Sequence, residues 1–128
     1  MHRFIVREVV GGILVPLAAL LERLSFTQVS LWVFRHVELH SGQPLGYSVI
    51  EFERMSAEAA GIRVPCSAIS QVTTPDFQMI DGEIEGFAQE VSTKPLLRIE
   101  CFDASQWEVT TNSSQLAAEL ERRGFLRK

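Results

Sequence analysis

The sequence predicts an α+β domain: a mostly antiparallel sheet of about five to six strands, with an N-terminal and a C-terminal helix packed on it. Three observations point there. Apolar residues recur at helical spacing near both ends of the chain, β-branched and aromatic runs punctuated by turn signals fill the middle, and no linker, repeat or low-complexity tract divides them. At 128 residues the chain holds one domain over 1–128, because two halves of about 60 residues would each have a marginal core.

The elements follow in order. Residues 3–10 are β-branched and read as a first strand or a helix lead-in, broken at Gly11-Gly12. Pro16 suits the first turn of a helix, where its missing N–H costs little. Ile13, Leu14, Leu17, Leu20, Leu21 and Leu24 then form one wide apolar stripe, so Val9–Leu21 reads as part of a buried helix. Thirteen residues are too few to span a bilayer, and Arg7 and Glu8 interrupt any signal-peptide apolar region.

Residues 28–39 read as a long strand. One parity carries Leu31, Val33, Val37 and Leu39; the other carries Trp32, Phe34, His36 and Glu38. Ser41-Gly42-Gln43-Pro44 marks a turn, and 46–54 reads as the returning strand of a hairpin. Pro65 assigns 62–72 to an edge strand or loop. Residues 77–87 form a strand whose Gly82 and Gly86 mark bends or bulges. Leu96–Phe102 and Trp107–Thr110 form a hairpin around Asp103-Ala104-Ser105-Gln106. Asn112 and Gln115 resemble a capping box for the last helix, Gly124 ends it, and Phe125 folds back on the sheet.

Charge and motifs exclude several classes. The net charge is −4, which argues against a general nucleic-acid binder; such a protein needs a basic face to displace phosphate counterions. Two cysteines make no disulfide scaffold and, with no export signal, suggest a reducing cytoplasm. No zinc spacing, nucleophile elbow or phosphate-binding loop occurs. His36 and His40 on a strand lie about 13 Å apart, too far to share an ion. Cys101 alternates with Leu97 and Ile99 as a core thiol. No catalytic residue, metal or cofactor is therefore assigned.

The acidic residues are unevenly placed. Residues 1–64 are neutral, whereas 76–108 carry eight acids against Lys94 and Arg98. Asp81, Glu83 and Glu85 share one strand parity, which spaces them about 6.6 Å apart on one face. Such a row is either a solvated strand face or a docking surface for a basic protein. A catalytic carboxylate pair is disfavoured, because same-face strand positions diverge rather than converge. Trp107, between Asp103 and Glu108, is either core or an anchor for a partner. The candidate partner-binding residues are thus Asp81, Glu83, Glu85, Asp103, Trp107 and Glu108.

Residues 95–109, from Pro95-Leu96-Leu97-Arg98-Ile99-Glu100-Cys101-Phe102 through Asp103-Ala104-Ser105-Gln106 to Trp107-Glu108-Val109, lead into the helix that ends at Arg123-Gly124-Phe125. This stretch resembles the C-terminal part of small bacterial immunity proteins of polymorphic-toxin and contact-dependent growth inhibition systems. Ile80–Phe87 is similar in flavour, so the resemblance lies within 77–125. It implies a cytoplasmic, non-enzymatic inhibitor that binds one cognate toxin domain; an acidic patch would suit a basic nuclease. No functional residue is fixed across these families, so none is carried over. Two other classes stay open. One is a cavity-type enzyme or ligand-binding domain with Trp32, Phe34, Tyr47, Phe52 and His36 around a pocket. The other is a subunit that forms a homodimer through an exposed strand.

Overall fold

The computed structural model describes residues 1–128, the side chain of Val10 excepted. The chain is α+β. Its strands are β1 (His2–Val6), β2 (Val9–Val10), β3 (Ile13–Leu14), β4 (Leu31–Ser41), β5 (Ile62–Pro65), β6 (Gln78–Phe87), β7 (Leu97–Phe102), β8 (Gln106–Thr111) and β9 (Leu126–Arg127). Its helices are α1 (Leu17–Arg23), α2 (Val49–Ser56) and α3 (Ser114–Arg122). Seven strands form one sheet in the order β5-β4-β6-β7-β8-β1-β9, somewhat larger than the five or six expected. Every recorded pairing is antiparallel. β2 and β3 form a separate two-residue hairpin.

The main core lies between the sheet and the helices. Phe4, Trp32, Phe34, Ile84, Leu97, Ile99, Trp107 and Val109 meet Leu17 and Leu20 of α1, Phe52 of α2, and Ala117 and Leu120 of α3 in one cluster. Phe34, Phe52 and Phe77 pack edge to face, with centroids 5.8–6.5 Å apart. All three helices cover the same face of the sheet. The opposite face carries a small cluster, Leu31, Val33 and Phe87. At that corner segment 88–96 is tied down by Ser30 Oγ donating to Ala88 O and Arg63 Nη2 donating to Glu90 O.

Four sequence readings need correction. The segment 46–54 is not a returning strand. Ser48 accepts from the Glu51 N–H while the Glu51 carboxylate accepts from the Ser48 N–H, a capping box that starts α2. The helix lies along the part of β4 beyond β5, where Ser56 Oγ accepts from Val37 N (3.0 Å) and Glu53 Oε2 from Leu39 N (2.8 Å). Side chains thus occupy a strand edge that would otherwise offer free N–H groups.

The second correction concerns Val9–Leu21. Helix α1 begins only after Pro16; residues 9–14 form the β2–β3 hairpin, turned by Gly11 and Gly12 at φ 61° and 82°. The third concerns parity in β4. His36 adopts φ 51°, and three steps on β4 from Arg35 to Glu38 oppose two on β6 from Glu83 to Asp81. This bulge inserts one residue and reverses the alternation beyond it. Trp32 and Phe34 therefore face the core together with Val37 and Leu39, while His36 is exposed.

At the C-terminus the helix is capped by Ser113, whose Oγ accepts from Leu116 N, and not by Asn112. Gly124 (φ 90°) ends α3, and Phe125 folds back into the core as expected. No helix is long and apolar enough to cross a membrane.

Candidate functional site

The uncovered sheet face is built by alternation. Residues of β6, β7 and β8 that do not point at the helices point to the other side. Register then sets Glu83, Glu100 and Glu108 in one row across three adjacent strands, with Arg35 of β4 opposite Glu83. The neighbouring row holds Val33, Glu85, Arg98, Thr110 and Arg3. Asp81, Glu83 and Glu85 do share a face, as their parity predicts.

Topology changes the charge of that face. The acidic excess of 76–108 is counted along the chain, but β1, β4 and the C-terminus bring bases to it. Glu85 sits between two arginines, at 2.6 Å from Arg35 Nε and 3.8 Å from Arg98 Nη2. Arg35 Nη1 also donates to Ala59 O, which fixes its guanidinium. Glu108 is 5% exposed and bonds Lys128 Nζ at 2.9 Å, with Arg3 Nε at 3.9 Å. A buried carboxylate requires such partners. Glu85 and Glu108 therefore carry the sheet's own ion pairs.

Glu83 and Glu100 differ. They lie directly opposite one another, a destabilising arrangement for like charges. Neither forms an ion pair among the described residues. Burial, then the Glu83 charge, pushes the Glu100 carboxyl above its ordinary range, and Arg98 offsets this in part.

Asp81 and Asp103 have a local task. Asp103 and Ala104 turn the β7–β8 hairpin at φ 50° and 55°. Asp81 Oδ1 accepts from Asp103 N (2.9 Å), and Ala104 N donates to Ile80 O (2.7 Å), so the strained turn is held to β6.

Trp107 is not a surface anchor. Its parity is that of Val109, so the ring is 3% exposed within the core, and Nε1 donates to Val15 O at 2.8 Å. The exposed aromatic of this region is Phe102, at 39%, on the parity of Arg98 and Glu100. Its alternation with the core residue Cys101 is the sequence signal for that exposure.

The pocket imagined around His36 is not formed. His36 is exposed, and Trp32, Phe34 and Phe52 are packed against one another's neighbours in the core. Cys101 is buried and its thiol is pushed up to about 11, chiefly by burial. Cys66 is exposed. No group of three or more metal-ligating side chains converges among the described residues. What the open face offers is a ladder of paired charges around two unneutralised carboxylates, with one exposed aromatic ring beside them. Comparison with protein-family models, with curated proteins and with solved structures finds no match to this chain.

Proposed function

We propose that the chain is a partner-binding protein of the immunity type, which docks a cognate toxin domain through the uncovered face of its sheet. One observation carries the reading. Helices cover a single face, while on the other Glu83 and Glu100 face each other and neither forms an ion pair among the described residues. A partner's lysine or arginine placed between them relieves the like-charge contact, which gives both attraction and register. Glu85 and Glu108 support the surface through their own ion pairs, and Phe102 supplies an apolar contact at its margin. The resemblance of 77–125 to immunity proteins supports the same class, because those residues supply β6, β7 and β8.

The test is co-expression with a toxin domain encoded next to this chain. Growth should be rescued by the chain and lost again in Glu83→Lys/Glu100→Lys. Failure of the unaltered chain to rescue any neighbouring toxin contradicts the immunity role. Full rescue by the double variant contradicts the use of this face.

A further inference from the structure

A second feature lies at the opposite layer, where the strand ends meet the β2–β3 hairpin. A cavity of about 480 Å³ opens there between Ile13, Leu17, Phe77, Met79 and Trp107. That volume is in the range of small-molecule sites, and the lining is apolar, as such sites are. Four separate stretches of chain build it, so it is not a fold of one loop.

Its polar rim is one-sided. Ser41 Oγ is engaged with Asp76 O (2.7 Å), and Thr74 Oγ1 donates to Asp76 Oδ1 (2.6 Å). The Asp76 side chain thus has one carboxylate oxygen engaged and forms no ion pair among the described residues. A single carboxylate at the mouth of an apolar cavity selects a cation, since the same charge repels an anion of equal size.

The hairpin wall is held at its base and free at its tip. Trp107 Nε1 and the Val15 N–H to Glu8 O bond (2.9 Å) fix the base. A Cβ on Gly11 or Gly12 would meet nothing within 4 Å. Ile13, on the cavity wall, stays 57% exposed although it is β-branched and apolar. A ligand in the cavity would cover it.

We propose that this cavity binds a small hydrophobic amine, its aromatic or branched body against Ile13, Phe77 and Met79 and its ammonium at Asp76. The assignment stands independently of the sheet-face reading, since no residue of that face lines the cavity.

The experiment titrates phenethylamine, benzyl alcohol and 3-phenylpropionate into the protein, followed by amide and indole N–H shifts. Phenethylamine should give saturable shifts at residues 13–17 and 77–79 and at the Trp107 indole. It should bind roughly tenfold more tightly than 3-phenylpropionate, the ratio expected of one charge-assisted contact. Asp76→Asn should bring the cation and the anion to similar affinity. Ile13→Ser, at an exposed position and therefore compatible with folding, should weaken all three probes while leaving the remaining spectrum native. Absence of saturable shifts, shifts centred elsewhere, or equal affinity for cation and anion in the unaltered protein would overturn the proposal. So would a cation preference that survives Asp76→Asn.

Discussion

Gly86 illustrates how closely β6 is fitted to the core. It pairs with Trp32 across the sheet, and the indole lies over it. A Cβ at position 86 would stand 2.8 Å from Trp32 Cζ3 and 3.0 Å from Val29 Cγ2. Carbon atoms rest at ~3.5–4.0 Å, so Gly86→Ala requires a displacement of about 0.7 Å or more. Trp32 is buried in the main cluster and cannot give way without moving its neighbours. Overpacking of this kind costs ~1–3 kcal/mol. The loss of backbone freedom in the unfolded chain returns ~0.4–1 kcal/mol. The expected net loss is ~1–2 kcal/mol, or ~5 °C in Tm for a chain of this length. Urea unfolding followed by tryptophan fluorescence measures it. Trp32→Phe removes the clashing ring carbon, so the double variant should be more stable than the sum of the singles by ~1 kcal/mol. A neutral or stabilising Gly86→Ala, or strict additivity with Trp32→Phe, would refute the close-approach explanation.

Three other outcomes follow from the same structure. Ser48→Ala removes the capping box of α2 and should cost ~1 kcal/mol in urea unfolding, with α2 amides exchanging faster. Glu100→Gln should stabilise the fold at pH 7. The raised Glu100 pKa means that the folded state holds this proton more tightly than the unfolded chain. The cost of ionisation is therefore absent at acid pH and grows as pH rises through the carboxylate range, so the advantage of Gln should fade on acidification. Native protein at pH 8 should react with one thiol equivalent of Ellman's reagent, at exposed Cys66, and with a second only on unfolding, because Cys101 is buried and its thiol stays protonated.

Much of the sheet was legible because period-2 patterns are local. β6, β7 and β8 fall within a residue or two of their expected bounds, and Pro65 does mark an edge strand. Phe125 folds back after Gly124 as the apolar pattern implies. What escaped was set by single residues or by distant ones. The bulge at His36 depends on one left-handed residue, yet it decides that Val37 and Leu39 join Trp32 and Phe34 in the core. Tyr47, Val49, Ile50 and Phe52 suit a strand by composition, and the Ser48–Glu51 pair that overrules them is a two-residue signal. The candidate site was half legible. Parity aligned Asp81, Glu83 and Glu85, but Arg3, Arg35 and Lys128 reach the face only through the strand order. Glu100, now opposite Glu83, gained its significance from register across β6 and β7, which no run of sequence displays.

The central claim is that the uncovered face is the docking surface. Its most direct test is the association rate with the neighbouring toxin domain, measured at low salt for two charge-reversed proteins. Glu83→Lys/Glu100→Lys alters the open face; Glu22→Lys/Glu58→Lys alters exposed, unpaired carboxylates on α1 and just after α2. The first should associate about tenfold more slowly, with the difference shrinking as salt is added, and the second should match the unaltered chain. Unchanged association of the sheet-face variant alongside a slowed helix-layer variant would place the interface on the other layer and contradict the account.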